Sequence, residues 1–230
     1  LRDEERLLPE CLTSLRGKVD EIVAVDTGSV DRTMDILRAE GVRFEERQWP
    51  DDFGQARNWT LDMASGDWIL VLDGDERLEA SREQLDAAMA QDVDGLYTRT
   101  IADDSWSYLT PRMFKNRPDI RYSGRIHEMP PVNEGIWGTA DVQIRHVGYT
   151  PEVMAAKDKQ RRNLALLEKC VGEAPDEPYP HFGRAILLLA LGEVDEAERE
   201  SRRAVDLWSR DRKPAGYVAQ MYLTLSRALG

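Results

Sequence analysis

A chain of 230 residues with 41% hydrophobic and 32% charged side chains has material for one large or two small globular domains. No apolar run is long enough to span a bilayer as a helix. A formal net charge of −12 argues against nonspecific binding to nucleic acid, so an anionic ligand requires local arginines or a cation. Cys11 and Cys170 stand far apart and match no zinc spacing, which predicts free buried thiols of a reducing compartment, most simply the cytoplasm.

The stripe Leu7, Leu8, Cys11, Leu12 and Leu15 predicts a helix that starts almost at residue 1 and ends at Gly17. Asp20 to Asp26 reads as a buried strand closing on an acid, with Thr27-Gly28-Ser29 as the turn after it. Asp31 is the expected N-cap of a helix that reaches Glu40 and stops at Gly41. Val42 to Glu45 makes a short strand, Trp49 to Gly54 a loop, and Gln55 to Ser65 a helix. Trp68 to Leu72 is apolar throughout, as in a strand covered on both faces, and it delivers Asp73, Asp75 and Glu76 at its end. Ligands of open α/β sheets sit at that edge. The three acids are therefore placed to hold a cation or a polar substrate, although a solvated acidic loop has the same composition.

Helix and strand alternate up to this point, which predicts a parallel sheet with helices on its faces. An opening helix of this kind is normally fed by a strand, so the sequence is expected to begin one strand late. Arg82 to Ala90 follows as a helix. Gly95 to Ile101, Ser107 to Phe114, Ile120 to Tyr122 and Val142 to Val147 are expected strands of a mixed or antiparallel addition. From Pro151 the pattern turns helical, with Lys157 to Gly172, Phe182 to Leu191 and Glu193 to Leu207 as helices and Pro175, Pro178 and Pro180 between them. Ala185, Leu188, Gly192, Ala197 and Ala204 fall at the spacings of a tetratricopeptide helix pair, where small residues let two helices approach. Ser209 stands where that repeat favours Pro, and Met221 to Gly230 fits a next helix only with an insertion. So few repeats need support, and the tail is expected to pack on the first domain or to continue past residue 230.

Four stretches carry a resemblance: Glu4-Glu5 with Leu12-x-Ser14-Leu15; Val25-Asp26-Thr27-Gly28-Ser29-x-Asp31-x-Thr33; Asp52-Phe53-x-x-Ala56-Arg57-Asn58; and Gly66-Asp67-Trp68-Ile69-x-x-Leu72-Asp73-x-Asp75-Glu76. In this order and spacing the chain resembles the family-2 glycosyltransferases of the GT-A fold, especially bacterial members with a tetratricopeptide-like tail. The resemblance implies an α/β fold in residues 1–150, a Rossmann-like mixed sheet with helices on both faces, followed by a helical region in 151–230. Members of the family begin with a strand just before the equivalent of Arg2 that lines the nucleotide pocket, and its absence here is the main departure.

The activity so implied is metal-dependent transfer of a sugar from a nucleoside diphosphate donor, most simply a UDP-sugar. Mg²⁺ or Mn²⁺ would be held by Asp75, with Asp73 touching the ribose or a metal-bound water, to neutralise the leaving diphosphate. Arg57 adds a phosphate contact or serves as a structural ion pair. Asp26 faces the base or ribose, with Asp52 a weaker candidate beside it; Asp26 as a turn-forming cap is the alternative. Direct displacement inverts the anomeric carbon and needs a base, for which Glu128 is the choice by resemblance and Asp103 and Asp104 are rivals. His127 or His146 completes the metal shell or is a structural imidazole. Trp106, Tyr108, Trp137 and Tyr149 are either sugar-stacking or core aromatics.

The acceptor is a glycan, a lipid-linked sugar or a peptide, and the helical tail binds a protein partner, forms a homo-oligomer or braces the first domain. Two rival functions remain open at this level. One is a nucleotidyltransferase making sugar nucleotides, which should carry a Gly-rich phosphate loop that is not visible. The other is a non-catalytic repeat protein with a decayed transferase domain.

Overall fold

The computed structural model describes residues 1–103, 106–147, 157–211 and 217–229. The chain divides into two compact units, Leu1–Ala155 and Ala156–Gly230. The first contains α1 (Leu8–Leu15), β1 (Val23–Asp26), α2 (Thr33–Ala39), β2 (Arg43–Glu46), α3 (Phe53–Met63), β3 (Trp68–Leu70), β4 (Glu76–Leu78), α4 (Arg82–Met89), β5 (Gly95–Asp103), β6 (Trp106–Lys115) and β7 (Trp137–His146).

β1 and β2 pair in parallel, from Val23 opposite Arg43 to Asp26 opposite Glu46. Beyond β1, the Leu1 backbone bonds to the strand: its N–H donates to Val25 O at 2.7 Å and its carbonyl accepts from Thr27 N–H at 2.9 Å. The other five strands form one mixed sheet in the order β3-β6-β5-β7-β4, in which β5 and β7 run parallel and the remaining neighbours antiparallel. β3 therefore does not extend a parallel sheet from β1, as the alternation of elements predicts. Its hydrogen bonds go to β6, with Trp68 opposite Lys115 and Leu70 opposite Met113. β4 is a further strand that the sequence pattern does not mark. Ile120 to Tyr122 is not a strand, because the Asn58 side chain supplies the partner for the Tyr122 backbone: Nδ2 donates to Tyr122 O at 2.9 Å and Oδ1 accepts from Tyr122 N–H at 2.8 Å.

One core cluster packs Leu15 with Leu78, Leu85, Leu96, Val142 and Ile144, so α1 and α4 cover the β4–β7–β5 side. A second joins Leu61 of α3 to Ile69, Phe114 and Tyr122, and a third joins Leu8 and Leu12 to Ala24 and Leu37. Each such aliphatic side chain contributes on the order of 1.5–3 kcal/mol through burial. α4 begins with a complete capping box between Ser81 and Gln84.

The second unit consists of α5 (Lys157–Glu173), α6 (Pro178–Leu191), α7 (Val194–Asp211) and α8 (Val218–Ala228). Pro178 opens α6, where its missing N–H costs nothing, and Gly192 ends it at φ +83° with its N–H returned to the carbonyls of Leu188 and Leu189. Ala185, Ala197 and Ala204 are buried, as small residues at a close helix crossing should be, and Leu188 is buried with them. Gly183 approaches Leu167 so closely that a β-carbon would lie 3.0 Å from Leu167 Cδ2. His181 is held by Glu200 through Nδ1 at 2.6 Å and by Pro175 O through Nε2 at 3.0 Å, and Arg184 donates to the same glutamate. Among the described residues no helix is long and apolar enough to cross a membrane.

Candidate active site

The acidic segment after β3 folds into a tight turn. Glu76 N–H donates to Asp73 O at 2.9 Å, while Asp73 N–H donates back to Glu76 Oε2 at 2.8 Å. This reciprocal pair forces three neighbouring carboxylates in different directions, and each meets a different partner.

Asp73 faces two guanidinium groups. Arg57 Nη2 from α3 lies 3.0 Å from its Oδ1, and Arg112 from β6 donates to its Oδ2 through Nη1 and Nη2, both at 3.2 Å. Burial works against the charged carboxyl, but Arg57 and Arg112 outweigh it and hold Asp73 well below the usual carboxylate range. Asp75 points the other way, its Oδ2 lying 3.4 Å from Nε2 of His146 at the end of β7. β4 and β7 impose this meeting, since their register sets Glu76 opposite His146 and Val147 N–H bonds Asp75 O at 2.9 Å. Glu76 turns inward and is completely buried, its Oε1 accepting from Arg112 Nη2 at 2.7 Å. Burial pushes this carboxyl up to about 7 even against the attraction of Arg112. The structure thus makes Asp73 and Asp75 the outward acids of the cluster and seals Glu76 beneath them.

Arg57 also holds Glu128, whose Oε1 lies 2.5 Å from its Nε. The loop that carries Glu128 is clamped by the first turns of α3. Phe53 N–H donates to Arg125 O at 2.9 Å and Gly54 N–H to Gly124 O at 3.3 Å, using donors that a helix start leaves unpaired. Gly54 permits this approach, for a β-carbon there would lie 2.8 Å from Gly124 O. Ser123 and Met129 bridge the base of the loop, and His127, next to Glu128, adopts φ +54°. Arg57, Asp73 and Glu128, remote in sequence, are one contiguous ionic group.

Asp26 is 1% exposed, and its carboxylate is engaged locally. Oδ1 accepts from Gly28 N–H and Ser29 N–H, both at 2.9 Å, and Oδ2 from Ser29 Oγ at 2.5 Å. This is the turn-forming arrangement. Asp26 still lies near the acidic turn, since Leu1 bonds the backbone on either side of it and a β-carbon at Gly74 would lie 3.1 Å from Leu1 Cδ2. Asp52 caps α3 by accepting from Gln55 N–H at 2.8 Å, so that helix starts at Phe53 rather than at Gln55. Its second neighbour is Arg125, at 3.9 Å. Asp103 ends β5, whereas Asp104 and Tyr149 lie outside the described residues. Trp137 packs edge-on to Tyr97 and beside Phe114 in the core, while Trp106, 56% exposed, sits 4.9 Å from Tyr108.

Arg112 is the participant that motif reading missed. The register of β5 against β6 slips between Leu96 opposite Met113 and Tyr97 opposite Pro111, leaving Arg112 as the extra residue of a bulge. Such a bulge re-aims one side chain, and here it aims Arg112 at the acidic turn. Pro111 inside an otherwise regular strand was the available signal, since Pro in a strand marks an edge or a bulge. Asn58 was visible in its motif but not its task, which is to bond the Tyr122 backbone.

Among the described residues no three His, Cys, Asp or Glu side chains converge to form a self-sufficient metal cage. Asp75 and His146 offer one carboxylate and one imidazole, donor types that suit a divalent cation.

Comparison with known proteins agrees with this architecture. A TPR repeat-containing protein of Synechococcus elongatus is 35% identical over 216 residues, covering 86% of this chain and 53% of that protein. The SPbeta prophage-derived glycosyltransferase SunS of Bacillus subtilis is 27% identical over 210 residues, covering 81% of this chain and 48% of SunS. The chain thus spans about half the length of these curated relatives. Among solved structures, the mannosyltransferase PcManGT of Pyrobaculum calidifontis superposes with TM-score 0.51 at 16% identity, covering 100% of this chain and 79% of that one. A fragment of S. aureus TarS gives TM-score 0.53 at 14% identity, covering 90% and 78%. These likenesses show the fold, a GT-A mixed sheet with a helical region after it. The family model described as glycosyl transferase family 2 matches residues 2–140, more than half of the chain, and the chain belongs to that family.

Proposed function

We propose that this chain transfers a glycosyl group from a nucleoside diphosphate sugar to a nucleophilic acceptor, with inversion at the anomeric carbon. The observation that carries the reading is the division of the site into two parts: an ionic group of Arg57, Asp73 and Glu128, and the separate Asp75–His146 pair at the end of β7. Asp75 and His146 would hold Mg²⁺ or Mn²⁺ together with the donor's diphosphate. When bound, that cation offsets the negative charge that builds on the leaving diphosphate. The mannosyltransferase PcManGT, a fold neighbour, was solved in complex with GDP-Man and Mn²⁺, which supports this choice. UDP-sugars are the first donors to test.

Asp73 faces the ribose, held in place by its two arginines. Arg57 is shared between Asp73 and Glu128 and is available to the diphosphate at the same point. Glu128 Oε1 is taken by Arg57, and its Oε2 makes no hydrogen bond among the described residues. That free oxygen is the proton acceptor. The acceptor's hydroxyl or thiol attacks the anomeric carbon, its proton passes to Glu128, and the bond to the diphosphate breaks with its electron pair leaving on phosphate oxygen. Residues 1–150 would carry this chemistry and the helical region 151–230 the contact with an acceptor or protein partner.

The test is donor turnover by Asp75→Asn with UDP-sugars and GDP-mannose in the presence of Mn²⁺. Loss of turnover in a folded variant supports the reading, and an unchanged rate excludes it. A wild-type protein that binds none of these donors would favour the non-catalytic alternative.

A further inference from the structure

We infer that the buried pair Glu76 and Arg112 is the positioning device of the site, fixing the Asp73 carboxylate in the orientation in which it meets the donor. This rests on the proposed reading, in which Asp73 faces the nucleotide.

Glu76 has no exposed side-chain surface and Arg112 has 13%. Burying a carboxylate costs several kcal/mol unless its partners are well placed. Both partners of Glu76 lead to Asp73. Oε2 takes the Asp73 backbone N–H directly, and Oε1 takes Arg112 Nη2, which together with Nη1 reaches Asp73 Oδ2. Glu76 therefore holds Asp73 twice, by its main chain and, through Arg112, by its carboxylate.

The support behind Arg112 is equally specific. It is the extra residue of the β6 bulge, and its carbonyl accepts the Val71 N–H at 2.8 Å just before the acidic turn. One residue thus anchors both the entry to the turn and the side chain at its tip. The Asp73 carbonyl accepts from Cys11 Sγ at 3.5 Å and from Glu76 N–H, and Arg57 Nη2 reaches both carboxylate oxygens, Oδ1 at 3.0 Å and Oδ2 at 3.2 Å. The backbone and both carboxylate oxygens of Asp73 thus have partners, while its side chain stays 38% exposed. A pair needed only for charge balance in the core would not have to end on one residue at each of its contacts. Groups that orient a ligating side chain from behind commonly contribute about 10–100-fold to affinity or activity.

The experiment is calorimetric titration of UDP and of GDP, each with Mn²⁺, into the wild-type chain, Glu76→Gln, Arg112→Gln, Asp73→Asn and the double variant Glu76→Gln/Asp73→Asn, with thermal melts of each. Glu76→Gln keeps an acceptor for the Asp73 N–H and removes the charge that holds Arg112. Nucleotide affinity should fall about tenfold in Glu76→Gln and in Arg112→Gln. The double variant should bind no more weakly than Asp73→Asn alone, because both changes act through the same carboxylate. A merely structural pair would lower the melting temperature and leave the affinity of the folded protein unchanged, which overturns the inference. Additive losses in the double variant overturn it too. Should Glu76→Gln fail to fold, Arg112→Gln decides by the same comparison. A wild-type chain that binds neither nucleotide removes the functional reading and this inference together, whereas wild-type binding that survives both single variants removes the inference alone.

Discussion

Arg57 Nε lies 2.5 Å from Glu128 Oε1, a bond that spans 71 positions of sequence and joins α3 to the loop it clamps. The same guanidinium reaches Asp73, so one planar group holds two carboxylates from two different elements. Lysine offers a single point charge and cannot serve both. Arg57→Lys should therefore lower donor turnover by about 100-fold, and Arg57→Met should also destabilise the fold by roughly 3 kcal/mol, because it leaves Glu128 and Asp73 without their shared partner. Urea denaturation and initial rates measure the two effects. A lysine variant with full activity would show that the fork geometry is unimportant.

Asp75 and His146 belong to one pair, and either substitution should have the same consequence. Asp75→Asn and His146→Asn should each abolish the response of turnover to added Mn²⁺, with melting temperatures close to wild type. Chelation of divalent cations should bring the wild-type rate down to that of the variants. Rates followed against Mn²⁺ concentration check this, and a His146 variant with an unaltered metal response would remove the imidazole from the site.

Gly54 lets α3 approach the 122–129 loop. In Gly54→Ala the new methyl would press on the Gly124 carbonyl, a backbone atom that cannot step aside as a side chain does. A cost of about 1–3 kcal/mol is expected, as for overpacking elsewhere. Amide exchange at Phe53 and Gly54, which donate to the loop, should quicken, and turnover should fall with it because Glu128 is no longer held. Exchange rates equal to wild type would show that the clamp tolerates a β-carbon.

Cys11 lies beneath the acidic turn, and burial pushes its thiol up to about 12. The thiolate is the reactive form, and at pH 8 almost none is present. A thiol-specific reagent applied to the native protein should leave Cys11 unlabelled and modify it only after denaturation, as peptide mass analysis would show. Rapid labelling of native Cys11 would mean that the packing under the turn opens readily.

Much of the fold was legible in local pattern. The apolar stripe of α1, the acid-ended β1 and the Gly-bounded α6 follow from periodicity and turn chemistry, which depend on near neighbours. The partner of β3 was not legible, because a strand three residues long with an all-apolar pattern does not specify which edge it will join. The role of Asn58 was hidden for the same reason: a side chain that bonds the backbone of Tyr122, 64 positions away, leaves no periodic trace.

For the site, residue order placed Asp73, Asp75 and Glu76 together after the apolar run of β3 and left a cation site and a solvated loop equally open. Arg57 and Glu128 were candidates only through the family resemblance, Glu128 by a His-Glu segment outside the four ordered stretches. How these charges are divided follows from contacts between elements remote in sequence. A turn of four residues sends Asp73 to two arginines, Asp75 to His146 and Glu76 into the core, and the β6 bulge supplies Arg112. The physical reason is that a carboxylate takes its properties from whatever donors and burial surround it, and those surroundings come from strands and helices that are distant in sequence.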